Sequence, residues 1–362
     1  MSTGAVLSGP ERRATGEALR DGQGQSGLIT WYRGGHGDPW NHVEAAMALD
    51  VAGQHDCAAT AYQWLERTQR EDGSWFASYH DDASVRERHV DTNAVAYVAT
   101  GAYHHLLATG DEAFFARVFP VVERAVGFVL GLQRDDGAIP WELDADGRPG
   151  AFALVAGCSS IFASLRAALA LAARRGERRQ TWRDAARRLR STLLRDPAAF
   201  SAKDEFAMDW YYPVLTGVTS RPAATERLLG GLDRFVTPWG VRCRADGPWV
   251  TTAETAEASL AFTRAGLRTT ARALLATVAD KRAADGAYRT GLVYPGRQEF
   301  PRGEVTTYSA AAVLLADDAL RPSSATARLL GVAGTSQRCS TRRLAQESRS
   351  TSTTYPEPSA AR

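Results

Sequence analysis

From Ala61 to Trp75 the chain reads Ala-Tyr-Gln-Trp-Leu-Glu-Arg-Thr-Gln-Arg-Glu-Asp-Gly-Ser-Trp, with Tyr62, Leu65 and Gln69 at helical spacing. Asp72-Gly73 then turns the chain, because glycine enters the left-handed region without the clash a side chain would make. The same grammar returns between Phe128 and Trp141, around Asp136-Gly137, and more weakly at Asp246-Gly247-Pro248-Trp249 and Asp285-Gly286-Ala287-Tyr288. Apolar positions at the helical period predict eleven helices, at 38–52, 56–70, 91–109, 111–133, 157–175, 180–195, 207–217, 222–235, 252–265, 268–282 and 304–320. No β-rich segment of any length competes with them.

Two kinds of connection alternate between these helices. Alternate helices end near Gly53, Gly110, Gly176, Gly217 and Gly266, where a left-handed residue satisfies the last carbonyls, and the next helix starts within a few residues. Short links of this kind make antiparallel hairpins. The other loops, Arg33 to Trp40, Tyr79 to Asp91, Trp141 to Ser160, Lys203 to Pro213, Arg242 to Glu254 and Tyr294 to Tyr308, are long and carry aromatic and charged side chains. In a closed ring of hairpins all six lie on one face. The pattern therefore predicts an all-α fold, an α/α toroid of about 11–12 antiparallel helices, with any twelfth helix in the N-terminal arm or just after Leu320. The small, apolar runs at 44–49 and 309–315 suit inner helices, and the arginine-rich stretch at 182–195 suits an outer one.

Composition changes this picture little. Residues 28–320 form one toroid domain in this reading, preceded by a flexible arm at 1–27 and followed by a disordered basic tail at 321–362. That tail holds seven Arg against Glu347 and Glu357, so the net charge of +2 conceals a slightly acidic body, which does not suggest nucleic-acid binding. No stretch approaches the roughly 18 uninterrupted apolar residues of a membrane span. Met1 to Gly27 lacks the apolar run of a signal peptide. Cys57, Cys158, Cys243 and Cys339 are scattered without a Cys-x-x-Cys pair, which fits reduced thiols and a cytoplasmic protein. Oligomeric state is left open.

Five segments carry family resemblances. Cys158-Ser-Ser-Ile-Phe-Ala-Ser-Leu-Arg-Ala-Ala168, followed by Gly176 and Trp182, is similar to the hairpins of bacterial glucoamylase-like enzymes, which are six-hairpin glycosidase-like toroids. Gln69 to Trp75 resembles the Gln-Trp repeat of squalene cyclases and prenyltransferases. Asp38-Pro-Trp-Asn-His-Val-Glu-Ala-Ala-Met-Ala-Leu49, Met208-Asp-Trp-Tyr-Tyr-Pro-Val-Leu215 and Pro248-Trp-Val-Thr-Thr-Ala-Glu254 resemble actinobacterial proteins commonly labelled prenyltransferase. The residues do not supply the chemistry of that label. No Asp-x-Asp-Asp acid is present, Asp81-Asp82 and Asp144-Ala-Asp146 being the nearest approaches. All seven His lie between His36 and His105, which leaves Cys243 without a downstream partner for zinc. No metal and no cofactor is expected.

Carboxylates and aromatics on the long-loop face suit a sugar better. Glycoside hydrolysis needs one carboxylic acid to protonate the leaving oxygen and a second carboxylate as base or nucleophile. Asp209, among Trp210, Tyr211 and Tyr212, Glu254 and Glu304 are the preferred candidates, with Asp91 and Asp38 beside them. Each also has a structural reading. Asp38 before Pro39 and Asp91 before Thr92 are helix caps. Glu254 fits a capping box with Thr251, and Glu304, at the start of the last inner helix in this reading, complements the helix dipole. Trp40, His42, Trp141, Trp210, Tyr211 and Trp249 are the candidate substrate-binding residues, although any one aromatic could equally be core. The expectation is a carbohydrate-active, glycosidase-like protein that takes a small-molecule or glycan substrate in the long-loop cleft. A prenyltransferase or terpene-cyclase-like enzyme, or a toroid scaffold without catalysis, are the alternatives.

Overall fold

Small side chains let helices approach closely, and four helices of this chain, at 92–109, 155–174, 252–265 and 307–319, are rich in them. In the computed structural model, which describes residues 6–332, the helices in chain order are α1 (Gly9–Arg20), α2 (Pro39–Val51), α3 (His55–Thr68), α4 (Thr92–Thr109), α5 (Glu112–Gly131), α6 (Val155–Arg174), α7 (Gln180–Arg195), α8 (Ala207–Leu215), α9 (Arg221–Gly230), α10 (Leu232–Phe235), α11 (Thr252–Ala265), α12 (Arg268–Ala276), α13 (Thr307–Ala319) and α14 (Ala325–Leu329). Helices α2, α4, α6, α8, α11 and α13 form an inner ring in which each packs on the next and α13 closes back on α2. Helices α3, α5, α7, α9 and α12 surround it, so the fold is the (α/α)6 toroid. The five glycines expected to end inner helices all take positive φ, from 70° at Gly110 to 88° at Gly266.

The twelfth helix is α1, which packs on α13 and α2. Residues 9–20 are therefore an outer helix and not a flexible arm. Ser8 and Glu11 form a reciprocal capping box. Arg12 pairs with the fully buried Asp317 of α13, whose other oxygen accepts the backbone N–H groups of Val6 and Leu7 at 2.6 and 2.9 Å. The stretch just after Leu320 also differs from the expected tail: α14 packs on α4 and α13, with Thr326 and Ala327 buried. The remainder of the expected disordered tail, from residue 333, lies outside the described residues.

The repeated Gln-x-x-Asp-Gly stretch has a clear structural task. The amide of Gln69 donates to the carbonyl of Gly73 and to that of Val121 on α5, and Gln133 does the same to Gly137 and to Ala185 on α7. Each glutamine thus staples the end of one outer helix to the next. Close approach makes the glycines necessary: a Cβ at Gly73 (φ 91°) would sit 2.4 Å from the Arg124 carbonyl oxygen. At Gly286 the atom met is the carbonyl carbon of Ala14, 2.5 Å away, so the turn after α12 leans on α1 as the others lean on α5 and α7. The Asp246-Gly247 echo is different, lying in the hairpin between two strands rather than at a helix end.

The long loops add strands too short for a periodicity to reveal. β1 (Ser78–Tyr79) pairs with β2 (Val85–Glu87), and β3 (Val90–Asp91) pairs with β4 (Glu142–Leu143). β5 (Val236–Thr237), β6 (Gly240–Arg242), β7 (Trp249–Thr251), β8 (Gly291–Val293) and β9 (Gln298–Glu299) make one antiparallel sheet in that order. Helix α6 is long and apolar enough to cross a membrane by length and composition, but 67% of its most apolar window is buried within the ring.

Candidate active site

The long loops enclose a cleft of about 610 Å³ over one end of the inner ring. Its floor is aromatic: Trp40 stacks on Tyr97 with centroids 5.0 Å apart and meets Tyr308 edge-on at 5.4 Å, while Trp31 approaches Tyr308 at 6.0 Å. Trp141 forms one wall because the β3–β4 pairing, continued by the Thr92 N–H donating to the Trp141 carbonyl, brings its loop beside α4. Gly157 of α6 lies under the indole, and a Cβ there would come within 2.9 Å of the ring.

Asp38 and Asp91 line this cleft together. Both are helix N-caps, so the cap and cleft readings of these residues coincide. Asp38 accepts from the Asn41 N–H at 2.9 Å, the Asn41 side-chain amide at 2.6 Å and the Trp31 indole N–H at 2.6 Å. Asp91 accepts from the Ala94 N–H at 3.0 Å. Burial pushes the Asp91 carboxyl up to about 7, and the nearby charges of Asp38 and Glu142 add to the effect, against the backbone hydrogen bonds at the helix start. Asp91 can therefore hold a proton near neutral pH, as a general acid must. His36, also on the cleft wall, is held below its ordinary value by burial and then by Arg86, against the opposing charges of Asp38, Glu87 and Glu304.

Four buried polar atoms of cleft-lining residues have no hydrogen-bond partner: Trp40 Nε1, Asn41 Oδ1, Ser78 Oγ and Asn93 Oδ1. Buried polar groups are ordinarily paired. Unpaired donors and acceptors on residues that line an aromatic-floored cleft match a ligand with apolar C–H faces and hydroxyl edges.

The other sequence candidates are placed elsewhere. Asp209 is 8% exposed in the first turn of α8 and faces a separate cavity of about 440 Å³ with Trp210 and Arg227. It accepts from the Ala156 N–H at 3.2 Å, and burial raises its carboxyl to about 6. Glu254 is half-buried at the start of α11, where the Thr251 hydroxyl donates to its carboxylate; Thr251 makes no side-chain bond to the helix backbone, so the expected capping box does not form. Glu304 precedes α13 instead of starting it, accepts from the Thr290 hydroxyl at 2.7 Å, and lies close enough for its charge to act on His36. His42 is fully buried. Its Nδ1 accepts the Ile29 N–H at 2.9 Å and its Nε2 then donates to the Ala61 carbonyl at 2.9 Å, which fixes a neutral ring with its pKa lowered to about 4 by burial. Trp210 stacks on Phe235, Tyr211 is buried against Glu257, and the Trp249 indole donates to the Phe300 carbonyl at 2.8 Å. Of the aromatic candidates, Trp40 and Trp141 reach the cleft. Among the described residues no cluster of His, Cys, Asp and Glu suits a metal ion.

No family model matches the chain. It is 44% identical over 316 residues to the MMP endo-(1,4)-3-O-methyl-alpha-D-mannosidase of Mycolicibacterium hassiacum, in an alignment covering 87% of each protein. The chain belongs to the family of that enzyme. A glycosidase solved in complex with glucose superposes with a TM-score of 0.68 at 15% identity, over 90% of this chain and 97% of its own. An alpha-amylase from Clostridium perfringens gives 0.65 at 9% identity, over 86% and 98%. A sugar epimerase from a ruminal bacterium gives 0.67 at 10%, over 85% and 97%. At such identities the likeness speaks for the toroid alone, and the epimerase illustrates that one fold serves several sugar chemistries. The prenyltransferase resemblance finds no support among these relatives. The chain is a glycoside hydrolase-like member of its family.

Two carboxylates beneath the cleft floor escaped the sequence. Glu257 of α11 accepts hydrogen bonds from Tyr211, from Tyr212 at 3.1 Å and from Tyr308 at 3.0 Å, and burial with the nearby Glu44 charge raises it to about 8. Glu44 of α2 is bonded by Tyr97 and raised by burial to about 7. Burial favours the protonated form of both, and they tie the floor tyrosines in place. The available signal was a lone glutamate inside a run of small inner-helix residues, which can only point into the ring.

Proposed function

We propose that the chain is an endo-acting hydrolase of (1,4)-linked α-D-mannosides carrying 3-O-methyl groups, with Asp91 as the general acid. The observation that carries this reading is the cleft itself, where a carboxyl able to hold its proton stands beside a second carboxylate, Asp38, over an aromatic floor. Asp91 gives its proton to the glycosidic oxygen as the bond from that oxygen to C1 breaks. Asp38 supports the charge that develops on the sugar ring and serves as base or nucleophile. Glu254 is a second candidate for the base, since it starts α11, which stands three places round the inner ring from α4. The relative's activity on a 3-O-methylated (1,4)-linked mannoside supports the substrate class. So does the apolar lining: a methyl group buried against Trp40, Trp141 or Met208 contributes about 0.8 kcal/mol, roughly fourfold in affinity. We also place the protein in a reducing compartment, the cytoplasm, since Cys57, Cys158 and Cys243 form no disulfide among the described residues.

The test is a mass-spectrometric comparison of α-(1,4)-mannooligosaccharides with and without 3-O-methyl groups, and of maltooligosaccharides. Cleavage of the methylated mannosides at least about fourfold faster than of the plain ones is expected. Asp38→Asn should remove most of the activity if Asp38 is the partner of Asp91, and Glu254→Gln should do so if the base comes from across the ring. Cleavage of maltooligosaccharides alone, or full activity in all of the carboxylate variants, would overturn the reading.

A further inference from the structure

The opposite end of the ring holds a second cavity, of about 220 Å³, closed off from the cleft by the layer of Tyr97 and Tyr212 and covered from outside by α14. At about 30 Å³ per water it has room for a molecule the volume of roughly seven waters. Its walls are mainly apolar, with Met47, Leu215, Leu260 and Leu315 among them.

Cationic side chains line it as well. Arg166 and Arg264 both line it, and among the described residues neither pairs with a carboxylate. The Arg264 guanidinium is wedged over Gly217, where a Cβ would lie 2.0 Å from its Nη2, and its Nη1 donates to the Leu330 carbonyl. Arg166 reaches the Thr216 carbonyl at 3.4 Å. A guanidinium carries five N–H donors, so these carbonyl bonds leave most of both forks unused. Burial, with the like charge of Arg166, lowers Arg264 to about 10, the expected strain of two cations held together. The acids of the cavity, Glu44 and Glu257, are engaged with the tyrosines rather than with the arginines, and burial favours the protonated form of both. Ser160, 2% exposed on the wall of the same cavity, has a hydroxyl with no partner among the described residues.

We infer that this end of the toroid is a binding site for a small hydroxylated anion, a carboxylate or phosphate ester, held by the Arg166 and Arg264 forks with a hydroxyl on Ser160. Planar guanidinium pairs recognise both kinds of anion through parallel N–H donors. The inference does not depend on the sugar chemistry of the cleft, which lies on the other side of the tyrosines.

Inorganic phosphate, glycerol 3-phosphate and malate are the probes, titrated calorimetrically into the full-length protein in a low-salt buffer without other multivalent anions. At least one is expected to bind saturably with one site per chain, and competition between phosphate and malate separates the two anion chemistries. Arg166→Gln should weaken binding at least about tenfold, the loss of one charged hydrogen-bonding partner. Ser160→Ala removes an unpaired hydroxyl and should weaken the hydroxylated probes but not phosphate. Asp91→Asn should leave all three unchanged. Because Arg264 also holds the end of α14, Arg264→Lys is the milder second variant, and it too should weaken binding. No saturable binding by any probe would overturn the inference. Binding that survives both arginine variants would mean an adventitious ion only, and would overturn it equally.

Discussion

Asp91→Asn is expected to lower kcat on oligosaccharide substrates about a thousandfold, the usual contribution of a positioned general acid. The loss should depend on the leaving group. An aryl glycoside whose phenol departs without protonation needs no acid, so its glycosylic bond should be cut nearly as fast by the variant as by the parent. The pH dependence follows from the same proton. Asp91 holds it until the pH passes about 7, so kcat/KM of the parent should fall about tenfold per pH unit above that value, and this limb should be absent from the variant. Steady-state rates on the two substrate types between pH 5 and 9 measure both effects. Equal losses on both types, with the alkaline limb retained, would assign Asp91 a merely structural part as the cap of α4.

The second large effect concerns closure of the ring. Asp317 is fully buried and binds Arg12, Arg321 and the backbone N–H groups of Val6 and Leu7, so it joins α13 to α1. Asp317→Ala leaves Arg12, whose side chain is 13% exposed, without its carboxylate. Breaking one partner of a buried ion pair costs about 3–5 kcal/mol. The melting temperature should fall by on the order of 10 °C, and limited proteolysis should cut first within residues 9–20. A fall below about 2 °C would mean that α1 is dispensable to the ring.

How much of this was legible depended on what each residue's neighbours in sequence could reveal. Alternating glycine-ended hairpins and long loops gave the toroid, because a left-handed cap and a helical period are local properties. The twelfth helix could be narrowed only to the N-terminal arm or the stretch after Leu320, since the apolar content of α1 is low and its anchor, Asp317, lies three hundred residues away in sequence. The strands of the long loops are two or three residues long, shorter than any alternation can show. Within the site, Asp38, Asp91, Trp40 and Trp141 were legible as residues at the starts of inner helices or in the loops before them. In the sequence Asp209 is preferred to Asp38 and Asp91 for its aromatic neighbours, but its place in the first turn of α8 sets it on a different cavity. Glu44 and Glu257 went unnoticed as carboxylates because nothing local says that the tyrosines holding them come from other helices.

The most direct measurement is a crystal structure of the Asp91→Asn protein with a 3-O-methylated (1,4)-linked oligomannoside bound. The sugar is expected to lie along Trp40 and Trp141, with a glycosidic oxygen about 3 Å from the side chain at position 91 and hydroxyls on Asn41, Ser78 or Asn93. An oligosaccharide seated instead against Asp209 and Arg227, or with no glycosidic oxygen near position 91, would contradict the assignment of the cleft as the place of hydrolysis.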